Sequence, residues 1–289
     1  MPWLRLSRRI QTLARNSALD PKRRRNDRRP GCGTTSVGGL TICLSAAVAW
    51  GTANAAITAD QLALIVNDID PISVEIGKYY AAQRNIPEIN VIHIELRHDN
   101  PVIASNTFQR LIVEVERRTP ANVQAYALTW ISPYRVNCMS ITTAFAMGYA
   151  PRYCAKACAA TAPSPYYNSQ SSQPFSDFGI RPTMVIAAVT TENARSLIDR
   201  GIRSDFTHPA ATAYLVTTAD IARNTRSPAF DVVKRRLSSI IPVAIEHSDG
   251  IRDRHDIMFY FIGAKRVPYL DSLGFLAGAM ADHLTSAGG

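Results

Sequence analysis

Past residue 56 the chain alternates apolar runs of five to eight residues with segments whose apolar positions recur at helical spacing. That rhythm predicts an α/β fold with a mainly parallel sheet and helices on both faces. LALIVN (62–67) reads as the first strand, and a helix follows from about Ile72 to Arg84, with Asp70 placed to cap it and Pro71 suited to its first position. NVIHIEL (90–96) is a second strand, FQRLIVEVERR (108–118) a helix stopped by Thr119-Pro120, and VQAYALTW (123–130) a third strand. The order is βαβαβ.

The rhythm is lost between Asn137 and Ile180, where Ser, Pro, Ala, Tyr and Cys dominate. A connection of this length inside a domain is functional or disordered as a rule, so it reads either as an insertion beside a site or as a disulfide-pinned surface excursion. Regularity resumes with a strand at 183–190, a helix at 192–202 ended by Gly201, a strand at 212–218, a helix at 230–241 and a strand at 256–263. From Leu273 the chain runs to Thr-Ser-Ala-Gly-Gly with no strand or helix in view, which predicts a chain cut short at Gly289.

Charge separates the chain into regions. Residues 1–30 hold ten of the 32 Lys and Arg against Asp20 and Asp27, and residues 31–55 hold no charge, so the net +9 belongs almost wholly to a basic leader (1–36). The rest is nearly neutral and lacks the positive field that nucleic-acid binding requires, so no nucleic-acid partner is expected. The apolar run within 37–55 is short for a membrane span, which needs about 20 residues, and Ala53-Asn54-Ala55 supplies a small-x-small cleavage pattern. A signal peptide cut before Ala56 is expected, with a retained, uncleaved anchor as the alternative. The mature domain, 56–289, is then expected in the periplasm or secreted, with no membrane span of its own.

Export would place Cys138, Cys154 and Cys158 where disulfides persist, and those three are the disulfide candidates. Their spacing matches no common zinc pattern, so no metal is assigned. No P-loop, dinucleotide-binding glycine motif, HExxH or GxSxG occurs, and no cofactor is implied.

Ligands of open α/β sheets sit beyond the carboxyl ends of the strands, which selects Asn67, Asp68 and Asp70, then Arg97, His98 and Asp99, then Tyr134 and Arg135, then Asp220, and Lys265 with Arg266; of these Asp68, Tyr134 and Arg135 are the binding candidates. Cys138 follows a strand end and is a nucleophile candidate, with Ser286 as the alternative, His283 as base and Asp282 beside it. A solvated helix end is the plain alternative for 282–286. His93, inside a strand, reads as packed rather than catalytic. Asp68-x-Asp70 after an apolar strand is similar to the carboxylate pair of a phosphatase, with helix capping by Asp70 the plainer account.

Several blocks taken together, including LALIVNDIDPISVEIGKYYAAQRNIPEINVIHI, VQAYALTWISPYRVNCMSITTAFAMGY, SPYYNS, DFGIRPTMVIAA, LIDRGI and GAMADHLTSAGG, resemble an uncharacterised bacterial family found in genomes that encode exosortase. The resemblance runs from Ala59 to Gly289. It implies an exported envelope protein linked to protein sorting, with exported or envelope proteins or surface polysaccharide as partners, and a chain that continues past the final Gly-Gly in other members. More distantly, the layout is similar to the caspase and gingipain type of peptidase domain, in which a His and a Cys follow neighbouring strands. Here no His-Gly pair follows a strand. The expectations are thus an exported envelope protein of unassigned activity, a caspase-like hydrolase, or a binding module without catalysis.

Overall fold

The computed structural model describes residues 57–154 and 159–284. The leader, the apolar run, the cleavage position before Ala56, Cys158 and Ser286 lie outside the described residues. Within them the chain is an α/β protein with mainly parallel strands, arranged as two four-stranded parallel sheets and one small mixed sheet.

The first sheet has the order β2-β1-β4-β7, from β1 (Leu62–Asn67), β2 (Val91–Ile94), β4 (Ala125–Leu128) and β7 (Thr183–Val185). All its pairings are parallel, and β1 is buried along its whole length. A continuous apolar run suits such a strand because both of its faces are covered. On one face lie Ala63, Ile65, Ile92, Ile94 and Leu128, packed with Phe108, Ile112 and Val115 of α2 (Ser105–Arg118) and Phe145 of α3 (Ile141–Met147). On the other face Leu62, Leu64 and Val66 meet Ile76 and Tyr80 of α1 (Pro71–Arg84) and Ala194 and Ile198 of α5 (Thr191–Arg203). Helix α1 lies so close to β1 that a Cβ on Gly77 would stand 2.7 Å from Val66 Cγ2. The N-cap of α1 is Asp70, which accepts from the amides of Ile72 and Ser73. Gly201 lies inside α5, whose C-cap is Ser204.

The second sheet has the order β11-β10-β8-β9, from β8 (Thr212–Thr217), β9 (Val243–His247), β10 (Arg254–Ile262) and β11 (Leu273–His283). One face packs on Phe230 and Leu237 of α6 (Phe230–Leu237). The other is covered by irregular chain that contributes Ile251, Ala264 and Val267. The expected single sheet is therefore two, with α5 packed against both α1 and β11.

Two strands of the second sheet escape the sequence reading. β9 is a five-residue run directly behind Pro242, too short to stand out after a helical segment. β11 overturns the expectation that nothing regular follows Leu273: its Gly274 and Gly278 mask the strand pattern, and pairing with β10 supplies what propensity does not.

The small sheet joins β3 (Val102–Ile103) to β5 (Arg135–Val136) in parallel and β5 to β6 (Met139–Ser140) in an antiparallel hairpin. Asn137, with φ of 46°, takes the left-handed position of that two-residue turn. The segment 137–180 is thus not structureless. It holds β6, α3, whose Ala144 and Phe145 enter the core, and the short α4 (Pro174–Phe178). Thr and Ala dilute the apolar period of α3, and its helix is decided by packing on the sheet.

Candidate site at the carboxyl edge of the first sheet

In the first sheet β1 connects onward to β2 on one side, while β4 lies on the other, so the order of connection reverses between β1 and β4. That is where an open α/β sheet forms a crevice. The floor of the crevice is a chain of buried hydrogen bonds. The Asn67 amide donates to Ser73 Oγ (2.9 Å), the Ser73 hydroxyl donates to Thr129 Oγ1 (2.6 Å), and the Thr129 hydroxyl donates to Ile65 O (3.1 Å). The donor in the middle bond is assigned because the Thr129 proton is committed to Ile65. The Asn67 side chain meanwhile clamps Leu96, donating to its carbonyl (2.7 Å) and accepting from its amide (2.9 Å). The ends of β1, the β2 extension and β4 are held as one piece.

Above that floor the β1–α1 loop, the first turn of α1 and the β4–β5 loop leave apolar side chains uncovered. Ile69 and Ile72 are exposed on the β1 side, and Ile131 and Tyr134 on the β4 side, the last at 51%. Trp130, by contrast, is buried and donates to Pro133 O across the turn (3.1 Å). Alongside lies a cleft of about 430 Å³, lined by Glu95, Leu96, Arg97, Asp99, Asn100 and the start of α2. Its size falls in the range of small-ligand sites, roughly 300–1,000 Å³. The β4–β5 loop is fastened to its rim, since the Tyr134 and Arg135 amides both donate to Pro101 O and the Ser132 hydroxyl donates to Asn100 O. Within the cleft Arg97 bonds Asp99 at 2.7 Å, which holds the Asp99 carboxyl below its usual range and the Arg97 guanidinium above its own.

The structure divides the expected site residues. Asp68, Tyr134, Arg135 and Cys138 gather around the carboxyl edge of the first sheet and the small sheet beside it. Asp282 and His283 lie at the end of β11 in the second sheet, and no hydrogen bond or ion pair joins the two groups among the described residues. Asp282 pairs with Arg226, and His283 Nδ1 lies 3.3 Å from Ala264 O. As consecutive residues of a strand they point to opposite faces, so Asp282 does not orient the imidazole of His283. A helix end at 282–283 is likewise replaced by a strand.

Cys138 sits at the tip of the β5–β6 hairpin and is joined to Cys154 by a disulfide. A sulfur so bonded offers no thiolate, which corrects the nucleophile assignment. Tyr134 is exposed, and the Arg135 guanidinium donates to Asn137 O. Asp70 caps α1 while Asp68 bonds elsewhere, so the two carboxylates are not a phosphatase-like pair.

His93 corrects the sequence reading in the other direction. It is half-exposed, and its Nδ1 lies 2.6 Å from Asp68 Oδ1. The available signal was the alternation of the β2 run, in which Ile92, Ile94 and Leu96 are the buried set. Among the described residues no group of three or more His, Cys, Asp or Glu is placed to hold a metal ion, and no helix is long and apolar enough to cross a membrane.

By fold and site this is an α/β protein of two parallel sheets, with an open crevice where the connections of the first sheet reverse. No protein-family model, curated protein or solved structure matches the chain.

Proposed function

We propose that the chain is an exported bacterial envelope protein, tied to exosortase-type sorting, whose first sheet binds a ligand at its carboxyl edge. The observation that carries the binding reading is the uncovered apolar rim of Ile69, Ile72, Ile131 and Tyr134 over a rigid polar floor, next to a ligand-sized cleft. Buried polar floors hold geometry, and exposed apolar rims gain by being covered. Export is supported by the basic leader and the Ala53-Asn54-Ala55 pattern, and by a disulfide of the kind that persists outside the cytoplasm. Binding is preferred to thiol hydrolysis because Cys138 is bonded to Cys154.

Fractionation of cells expressing the full chain tests the first half: mature protein beginning at Ala56 is expected in the periplasm or medium, and intact protein in the cytoplasm would refute export. For the second half, the mature protein is titrated with envelope oligosaccharides and with peptides from sorted proteins. Tyr134→Ala and Ile131→Asp are expected to weaken binding at least about tenfold, the effect of losing an aromatic anchor, with the melting temperature unchanged. Undiminished binding by both variants would place the site elsewhere.

A further inference from the structure

Along β2 and its extension burial alternates strictly: Ile92, Ile94 and Leu96 are buried, and His93, Glu95 and Arg97 are exposed. Alternate residues of an extended chain stand on one side at intervals of about 7 Å. Glu95 and Arg97 line the cleft, and His93 stands outside it in the same row, about 7 Å beyond Glu95. Beside it Asp68 Oδ1 lies 2.6 Å from Nδ1, and no other hydrogen bond is made by the imidazole among the described residues.

Both partners are held by their backbones. The Asp68 amide donates to Ile94 O, and Arg118 donates to His93 O. The two side chains are roughly half-exposed, where a polar contact adds little to stability, so the fold has little need of this one. A carboxylate that accepts from Nδ1 selects the tautomer whose lone pair is on Nε2.

We propose that His93 is a general base, positioned by Asp68, that activates water for hydrolysis of an oxygen ester on a ligand that reaches from the cleft past Glu95 along this row. Water is the nucleophile because no Ser, Thr or Cys bonds His93 among the described residues, so nothing is placed to form an acyl intermediate. Nε2 takes a proton from water as the water oxygen bonds to the ester carbonyl carbon. The carbon–oxygen bond to the alcohol then breaks, and the imidazolium returns its proton to the departing alkoxide, giving acid and alcohol with the imidazole restored. An ester suits the arrangement because its alkoxide needs only that one proton to leave.

The proposal goes beyond the binding reading and is tested apart from it, with 4-nitrophenyl acetate and the full mature chain. His93→Gln retains a donor toward Asp68 but no base, and is expected to lower the rate about 100-fold, the usual contribution of general-base catalysis. Asp68→Asn is expected to lower kcat at least about tenfold with KM unchanged, as loss of the tautomer-setting carboxylate does. His208→Gln, at an exposed histidine in another part of the chain, is expected to leave the rate as it was. Diethyl pyrocarbonate should inactivate the wild type in step with modification of His93, and hydroxylamine should restore it. A His93→Gln rate equal to wild type, or equal losses from His93→Gln and His208→Gln, would overturn the proposal. Ester turnover by a chain that binds none of the oligosaccharides or peptides would sink the binding reading and support this one.

Discussion

The two parallel sheets reverse their order of connection in the same way, the first between β1 and β4, the second between β8 and β10, yet only one reversal is open. In the second sheet the Thr218 hydroxyl donates to Gly263 O, and the Asn224 amide group bonds both the amide and the carbonyl of Thr218. Arg223 pairs with Asp220 and Arg226 with Asp282 over the top, leaving a void of about 10 Å³, room for about one water. In the first sheet the polar bonds lie below the crevice and the loops above carry isoleucines and a tyrosine. The rule that ligands sit at a reversal therefore selects two places, and the side chains of the following loops decide which can receive one.

The largest expected effect probes the core under the open edge. Phe108 is fully buried and meets Phe145 edge to face at 5.3 Å, so Phe108→Ala should cost about 3–5 kcal/mol in denaturant unfolding. A smaller loss would mean that the helix cover of the first sheet is looser than its packing implies. Next is the closed reversal. A Cβ at Gly263 would stand 1.9 Å from Asn224 Oδ1, so Gly263→Ala must expel Asn224 and break its two bonds to Thr218. About 2–3 kcal/mol is expected, two bonds with their half-buried groups unpaired, and hydrogen exchange should rise at Thr218 and not at Asn67. Exchange rising equally at both would show that the two sheets do not open separately.

Thr129→Val leaves the Ser73 hydroxyl without its acceptor beneath the open crevice, for a loss of about 1–2 kcal/mol read from the melting temperature. Arg226→Ala removes a half-exposed ion pair and should cost under about 1 kcal/mol, which would mark closure of the second reversal as mainly the work of Asn224.

The smallest effect is in pH dependence. At the far end of the second sheet, bonds from the Thr212 and Tyr214 hydroxyls hold the Asp256 carboxyl below its usual range, partly opposed by desolvation. Since the folded value lies under the unfolded one, near 3.9, the stabilisation is present above about pH 4 and fades as pH falls through the folded value. Asp256→Asn should flatten the acid limb of a stability curve by under about 1 kcal/mol. An unchanged limb would assign acid sensitivity to other carboxylates.

Strands with a continuous apolar run and helices with explicit ends were legible because their signals are local: β1 and the Asp70-Pro71 start of α1 appear in place. β9, β11 and α3 were not, since a short run, a glycine-bearing strand and a Thr- and Ala-rich helix gain their stability from neighbours remote in sequence. The same holds for the site. Asp68, Tyr134 and Arg135 could be chosen as residues that follow strands, but His93 is 25 positions from Asp68, and only the parallel register that sets Val66 beside His93 brings the two together.

Read alone, the amino-acid order determined the α/β class, the near-neutral balance of charge past the basic first 30 residues, and the strand ends where a ligand would be sought. Tertiary structure decided that there are two sheets rather than one, that Cys138 is bonded to Cys154, and that Asp282 and His283 stand apart from the other candidates. The physical reason is range. Apolar period and capping act over one or two helical turns, whereas sheet order, register and disulfide pairing depend on which distant segments meet, and that is settled by packing.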